Sequence, residues 1–308
     1  MNEFLNSALT LAQQVIILFV LMAVGFIATK TKLINDKSIP GFVNVLLYIV
    51  TPCLIINSFL SVEFTKETIT SLLIAAGCAV VSHIIGIVFS FALKDNFKDK
   101  QSVYRFGTIF SNAGYMGLPL AQAVFGAEGV FYGSVYVVIF NVIQWTYGIT
   151  IYNKDENSKL KTLINPGTIA VLIGLPLFLL KITLPDIVAQ PLSYISSLNT
   201  PIPMLITGYY FAISDFKKDM NNIKMWIVIA LRMIIVPILA LFIFKYVFSL
   251  SGVLLCSCVL PACAPTAVNT MVLASKYNAN TNIALKLVTL STALSVVTMP
   301  LILALTQI

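Results

Sequence analysis

Long apolar runs of about 20 residues, separated by short polar stretches, fill nearly the whole of this 308-residue chain. A run of that length matches a hydrocarbon core of roughly 30 Å. Ten such runs can be drawn, at 8–29, 40–60, 68–92, 104–125, 129–152, 165–182, 193–213, 223–247, 252–275 and 282–307. The pattern predicts an all-α integral membrane protein of ten transmembrane helices. Two runs are broken at mid-span, the fourth at Asn112-Ala-Gly-Tyr-Met-Gly-Leu-Pro119 and the ninth at Pro261-Ala-Cys-Ala-Pro265-Thr-Ala-Val-Asn269. A helix in lipid must satisfy its own backbone, so a break at this depth belongs where protein encloses a cavity. Transporters build substrate sites from such interruptions at corresponding places in two halves of the chain.

Composition places the chain in the same class. With 58% hydrophobic and 10% charged residues and a mean hydropathy of +0.94, it is too apolar for a soluble globular domain. The formal charge of +7 would suit nucleic acid, but the positions of the basic residues point instead to membrane orientation. Lys30, Lys32, Lys37, Lys94, Lys98, Lys100, Arg105, Lys154, Lys159, Lys161, Lys217, Lys218, Lys224 and Lys276 follow odd-numbered runs, whereas only Lys66, Lys181 and Lys245 follow even-numbered ones. By the positive-inside rule the first set is cytoplasmic. That predicts a multi-pass protein of the cell membrane with both termini outside and no nucleic-acid partner. Glu3 precedes the first run and the lysines follow it, which is not the order of a cleavable signal peptide.

Laying the second half on the first, shifted by roughly 150 residues, aligns Thr51-Pro52 with Thr200-Pro201 and superposes the two breaks. Each Thr-Pro is followed by an acid at the end of its run, Glu63 and Asp215. Five spans per repeat is odd, so the expected organisation is two inverted repeats, 1–153 and 162–308, with runs four and nine crossing near the midplane.

The crossing carries the candidate chemistry. If the chain unwinds over Gly114 to Gly117 and restarts at Pro119, proline takes an early helical position where its missing N–H is harmless. Pro265 can do the same in run nine. Two helix N-termini, each with about half a positive charge, then face the centre, and the preceding half-helices expose carbonyl oxygens. Asn112 and Asn269 add amides, and Ser111 and Thr266 add hydroxyls. Asn141 and Gln144, three apart in run five, either reach the cavity or bond a neighbouring helix. The expected guest is a small organic anion, with Asn112, Gly114, Tyr115, Pro119, Asn141, Gln144, Arg232, Pro265, Thr266 and Asn269 as candidate binding residues.

All twelve carboxylates fall in loops or at run ends, so the embedded acids of a proton/sodium exchanger are missing. Na+ or H+ coupling stays open, because Na+ needs only oxygen ligands. Arg232 and Lys286 lie inside runs, where charge is costly and functional by default. Lys286 either snorkels to the surface or reaches the exposed carbonyls in place of a coupling cation. Arg232 either attracts the anion or bonds those carbonyls. His83 is a packed side chain or a proton relay. The five cysteines have no histidine or acid beside them at metal-ligand spacing. With no nucleotide-binding loop or catalytic triad pattern either, the reading is a protein without a cofactor that is not an enzyme.

The broken fourth run, the proline-rich ninth run with Pro265 and Asn269, and the ten-run length together resemble the auxin efflux carrier family over essentially the whole chain. Its bacterial members include proteins described as malate and malonate permeases. The chain is similar, more distantly, to the PIN-type plant auxin carriers, although the long central loop of many of those is absent. Bile-acid/sodium symporters and sodium/proton antiporters share the crossed broken helices. The resemblance implies a scaffold domain (runs 1, 2, 6 and 7) and a transport or crossover domain (runs 3–5 and 8–10), moving in an elevator-like cycle. It also implies a homodimer through the scaffold. The expected function is secondary transport of an anion such as malate, malonate or an auxin-like indole acid. The alternatives are a sodium-coupled symporter of the bile-acid type and a membrane sensor that binds without translocating.

Overall fold

The computed structural model describes residues 2–61, 65–152, 166–213 and 221–306. These residues form α1 (Asn2–Lys30), α2 (Ile39–Leu60), α3 (Lys66–Ser90), α4 (Lys98–Ile109), α5 (Leu118–Ile143) and α6 (Pro166–Leu179). They continue as α7 (Asp186–Ser197), α8 (Pro201–Ile213), α9 (Ile223–Val247), α10 (Gly252–Cys263), α11 (Asn269–Lys276) and α12 (Thr281–Thr306). Two helical stretches, 118–125 and 127–143, are counted together as α5; they meet at a non-helical kink at Gly126, whose φ of 63° and ψ of −150° suit only glycine, and the second runs on through a π turn at Gln144–Gly148 to Tyr152. Among the described residues α2, α3, the 124–152 part of α5, α9 and α12 are each long and apolar enough to cross a membrane.

Local chemistry sets the ends. Thr65 and Thr68 exchange side-chain and backbone hydrogen bonds in a capping box that starts α3. Asn222 caps α9 by accepting the Met225 N–H. Helix α4 starts at Lys98, ahead of the apolar run, because Lys98-Asp99-Lys100-Gln101 coil outside the hydrocarbon stretch. The seventh run, expected at 193–213, is two helices: α7 begins behind Pro185, and Leu198–Thr200 turn before Pro201 opens α8. Asp186, Gln190 and Ser193 hide the start of α7 from a hydropathy count. Glu63, Asp215, Lys154, Lys159, Lys161, Lys217 and Lys218 lie outside the described residues.

The packing is inverted relative to a soluble domain. Leu73, Leu172 and Val297 are 59–69% exposed, while Arg232, Ser291 and Thr270 are fully buried. Buried hydroxyls turn back to their own helix, as Thr108 does to the Tyr104 carbonyl at 2.9 Å and Thr292 to Val288 at 2.7 Å. Helices α1, α2, α6, α7 and α8 pack as one group, and α3, α4, α5 and α9–α12 as another. In the first group α1 crosses α8 where a Cβ on Gly208 would fall on the backbone of Met22, Gly25 and Phe26. Small residues allow helices to approach this closely. At the seam between groups Phe131 of α5 meets Phe59 of α2 and Phe178 of α6, with ring centroids 5.7 and 5.2 Å apart. Ser58 of α2 and Ser134 of α5 share a hydrogen bond of 2.9 Å at the same seam.

Candidate substrate site at the helix crossing

Both broken segments leave their first half-helix in an extended conformation. Phe110 takes φ −100° and ψ 116° after α4, and Ala264 takes φ −62° and ψ 150° after α10. The residue before a proline favours that region. The two stretches pair antiparallel at Ser111 and Thr266. The Asn112 N–H donates to the Pro265 carbonyl at 2.6 Å, and the Ala267 N–H to the Phe110 carbonyl at 3.0 Å. Backbone groups freed by breaking one helix are thus satisfied by the other.

This pairing corrects the expected position of both breaks. Residues 110–112 are the unwound ones, and Ala113–Gly117 already coil as a π turn, with Met116 and Gly117 N–H donating to the Asn112 carbonyl at 3.1 and 3.2 Å. Pro119 lies beyond that turn, within α5. Pro265 does not open a helix either; it sits in the extended pair, and α11 starts at Asn269. The pair needs extended chain on both sides in register, and this sets the break positions more strongly than the glycines do. Thr266 locks the pair by donating its hydroxyl to Gly107 O at 3.2 Å and its N–H to Ser291 Oγ at 3.1 Å.

A cavity of about 90 Å³ opens beside the pair. Asn112, Gly114, Tyr115, Asn141 and Asn269 all line it, together with Ser111. Its other wall is Tyr48 and Thr51 of α2 and Pro166 of α6, so it lies where the two helix groups meet. The first-turn N–H groups of 113–115 and of 268–269 have no carbonyl within their own helices. Two helix starts with positive partial charge therefore face one space. Asn112 is 3% exposed and makes no capping bond, and the Ser111 hydroxyl has no hydrogen-bond partner among the described residues. No carboxylate among the described residues lines the cavity. Asn269 is held by a 2.9 Å bond from its Nδ2 to Gln144 Oε1, which makes Gln144 a support behind the lining.

The remaining candidates sit elsewhere. Pro119 lines a second cavity of about 310 Å³, with Asn57, Gln122, Ser193 and Asn199. Asn199 Nδ2 donates to the Gly114 carbonyl at 3.2 Å, tying the α7–α8 turn to the first break. Arg232, fully buried on a π turn of α9, donates to the Thr108 and Ile109 carbonyls at 3.3 and 3.1 Å and to the Ala262 carbonyl. It therefore bonds the exposed carbonyls, one of the two roles expected for it. Lys286 is buried on α12. His83 is packed against Phe110, Tyr136 and Phe140, with Nδ1 2.7 Å from the Ala79 carbonyl. Sequence reasoning did not single out Asn199, Ser291 or Trp145, the last of which also lines the cavity at the crossing. Only Asn199 carried a usable signal, a polar residue directly before the second Thr-Pro.

A bundle of apolar helices with two interrupted helices paired beside a largely apolar cavity that carries a few polar groups has the build of a multi-pass membrane transport protein, not of an enzyme. The comparisons bear this out: the chain belongs to the family described as Membrane transport protein, that of the auxin efflux carriers, whose model matches residues 10–161 and 155–303. It is 24% identical over 280 residues to an uncharacterized transporter of Methanocaldococcus jannaschii, covering 85% of this chain and 88% of that protein. It is 22% identical over 295 residues to an uncharacterized transporter of Methanothermobacter thermautotrophicus, covering 94% and 96%.

Proposed function

We propose that this protein is a secondary transporter of a compact organic anion, a mono- or dicarboxylate, working by elevator-type alternating access. The observation that carries the reading is the cavity at the crossing: two helix starts, Asn112 and Asn269 face it, and no carboxylate among the described residues lines it. A bound carboxylate would accept from first-turn N–H groups and from the two side-chain amides, as anions do at helix N-termini. The cavity volume favours a few-carbon acid over a bulky one of the bile-acid type.

In this reading α1, α2 and α6–α8 are the scaffold, and α3–α5 with α9–α12 are the transport unit, with substrate held at their seam. Ten spans in two inverted repeats are supported by the loop-by-loop alternation of basic residues. They are supported also by the position of the two Thr-Pro pairs, one at a π turn within α2 and the other opening α8. The scaffold would face a second copy in a homodimer.

The test is uptake of radiolabelled malate, malonate and an indole acid into proteoliposomes, paired with thermal shifts of the purified protein against the same acids. Saturable flux of one compact acid is expected. Binding without flux in either direction would make the chain a sensor, and Na+-dependent uptake of a bulky acid in preference would make it a symporter of the bile-acid type.

A further inference from the structure

The carbonyl side of the crossing is as informative as the amide side. A helix C-terminus leaves its last carbonyls unpaired and carries about half a negative charge. Two such ends, those of α4 and α10, meet behind the extended pair. Their acceptors are nearly all taken by protein donors. The Thr266 hydroxyl takes Gly107 O, the Ala267 N–H takes Phe110 O, and the Asn112 N–H takes Pro265 O. Thr108 O, Ile109 O and Ala262 O receive the two terminal nitrogens of Arg232.

A single guanidinium thus bridges both broken helices from a third, α9. Its shape suits that bridging, since a planar fork with donors on separate nitrogens can serve two chains at once, which an ammonium cannot do in the same way. The group is charged at any working pH and fully buried. It carries no salt bridge to a carboxylate among the described residues. Its counter-charge is the pair of helix ends.

We infer that Arg232 is a resident cation. It occupies the place between the two helix C-termini that a coupling metal ion would take, and so frees anion binding on the opposite side from any requirement for Na+ or K+. It is a positioning residue, acting on the substrate only through the crossing that it holds together. The inference deepens the transporter reading above and rests on it for its consequence in flux, but not for the site itself. Removing the guanidinium leaves three converging carbonyl oxygens in a buried space, a receptor for a small organic or alkali cation supplied from solution.

The test compares the wild type with Arg232→Ala and Arg232→Lys, purified in choline buffer. The wild type is expected to show the same thermal midpoint and the same acid uptake, within about twofold, in choline, Na+ and K+. Arg232→Ala is expected to melt lower and to lose uptake at least about tenfold, and millimolar methylguanidinium should raise its midpoint and restore part of the uptake while leaving the wild type unchanged. Arg232→Lys should retain the fold, with an intermediate midpoint. A wild type stimulated severalfold by Na+ overturns the inference without any variant, so a failure of Arg232→Ala to fold does not protect it. An Arg232→Ala protein that melts and transports like the wild type in choline also overturns it. Methylguanidinium rescue of the midpoint with no flux of any acid would uphold the resident cation and sink the transporter reading instead.

Discussion

Asn112 is where backbone and ligand chemistry meet in one residue. Its N–H and carbonyl hold the crossing together, through Pro265 on one side and the π turn on the other, while its side chain makes no capping bond and faces the cavity. Replacing it by alanine removes the amide and keeps both backbone bonds. Uptake through Asn112→Ala is therefore expected to fall at least about tenfold, the loss of one charge-assisted bond, with thermal midpoint and elution volume unchanged; unaltered flux would reduce the residue to architecture. A surface pair obeys different rules. The Lys224 ammonium lies 2.8 Å from Asp95 Oδ2, and its hydrogen bond holds the Asp95 carboxyl below the usual carboxylate range. A depressed folded value adds stability above the ordinary pKa and loses it as pH falls through the folded one. Lys224 is about half exposed, so the pair contributes about 1 kcal/mol at most. The difference in midpoint between wild type and Asp95→Asn should thus be small at pH 7 and shrink as the pH falls below the ordinary carboxylate range; a gap that widens on acidification would contradict it.

Whole helices show what hydropathy can and cannot read. The apolar runs mark α2, α3, α9 and α12 because lipid-facing and core-facing positions are both mostly apolar, and single polar residues such as His83, Arg232 and Lys286 are too sparse to break the count. They miss the first turns of α4 and most of α7, where lysine, aspartate and serine coil outside the apolar stretch. The two breaks were visible as clustered glycine and proline, but their position was set by long-range pairing between residues 110–112 and 265–267, which no local pattern encodes. Arg232 and Lys286 looked alike as intramembrane cations; only the three-dimensional meeting of α4 and α10 gives the arginine its carbonyl partners. The α1–α8 crossing was equally hidden, since nothing around Gly25 or Gly208 in the sequence sets them apart from other glycines. Gly208→Val should push the two helices apart, because the new side chain would meet backbone that has nowhere to move. A loss of about 1–3 kcal/mol follows from overpacking, seen as a lowered thermal midpoint. A midpoint equal to the wild type would mean the helices separate freely.

At the scale of the molecule, the sidedness of the loops follows from where the basic residues fall. By the positive-inside rule the expected arrangement has the α1–α2 turn with Lys32 in the cytoplasm and the α6–α7 turn with Lys181 outside. Single cysteines introduced at Asn35 and Thr183 should therefore react with an impermeant thiol reagent from opposite faces of oriented vesicles; labelling of both from the same face would rule out inverted repeats. The buried guanidinium has an electrical side as well. If α3–α5 and α9–α12 travel together, Arg232 travels with them, and each elementary charge moved through 100 mV of membrane potential involves about 2.3 kcal/mol. Lys286 on α12 travels in the same unit, so a dicarboxylate would cross with both buried cations balanced, whereas the empty unit would return with neither charge balanced by substrate. Voltage would then act on the return stroke, and the turnover rate, more than the affinity for the acid, would respond to an imposed potential.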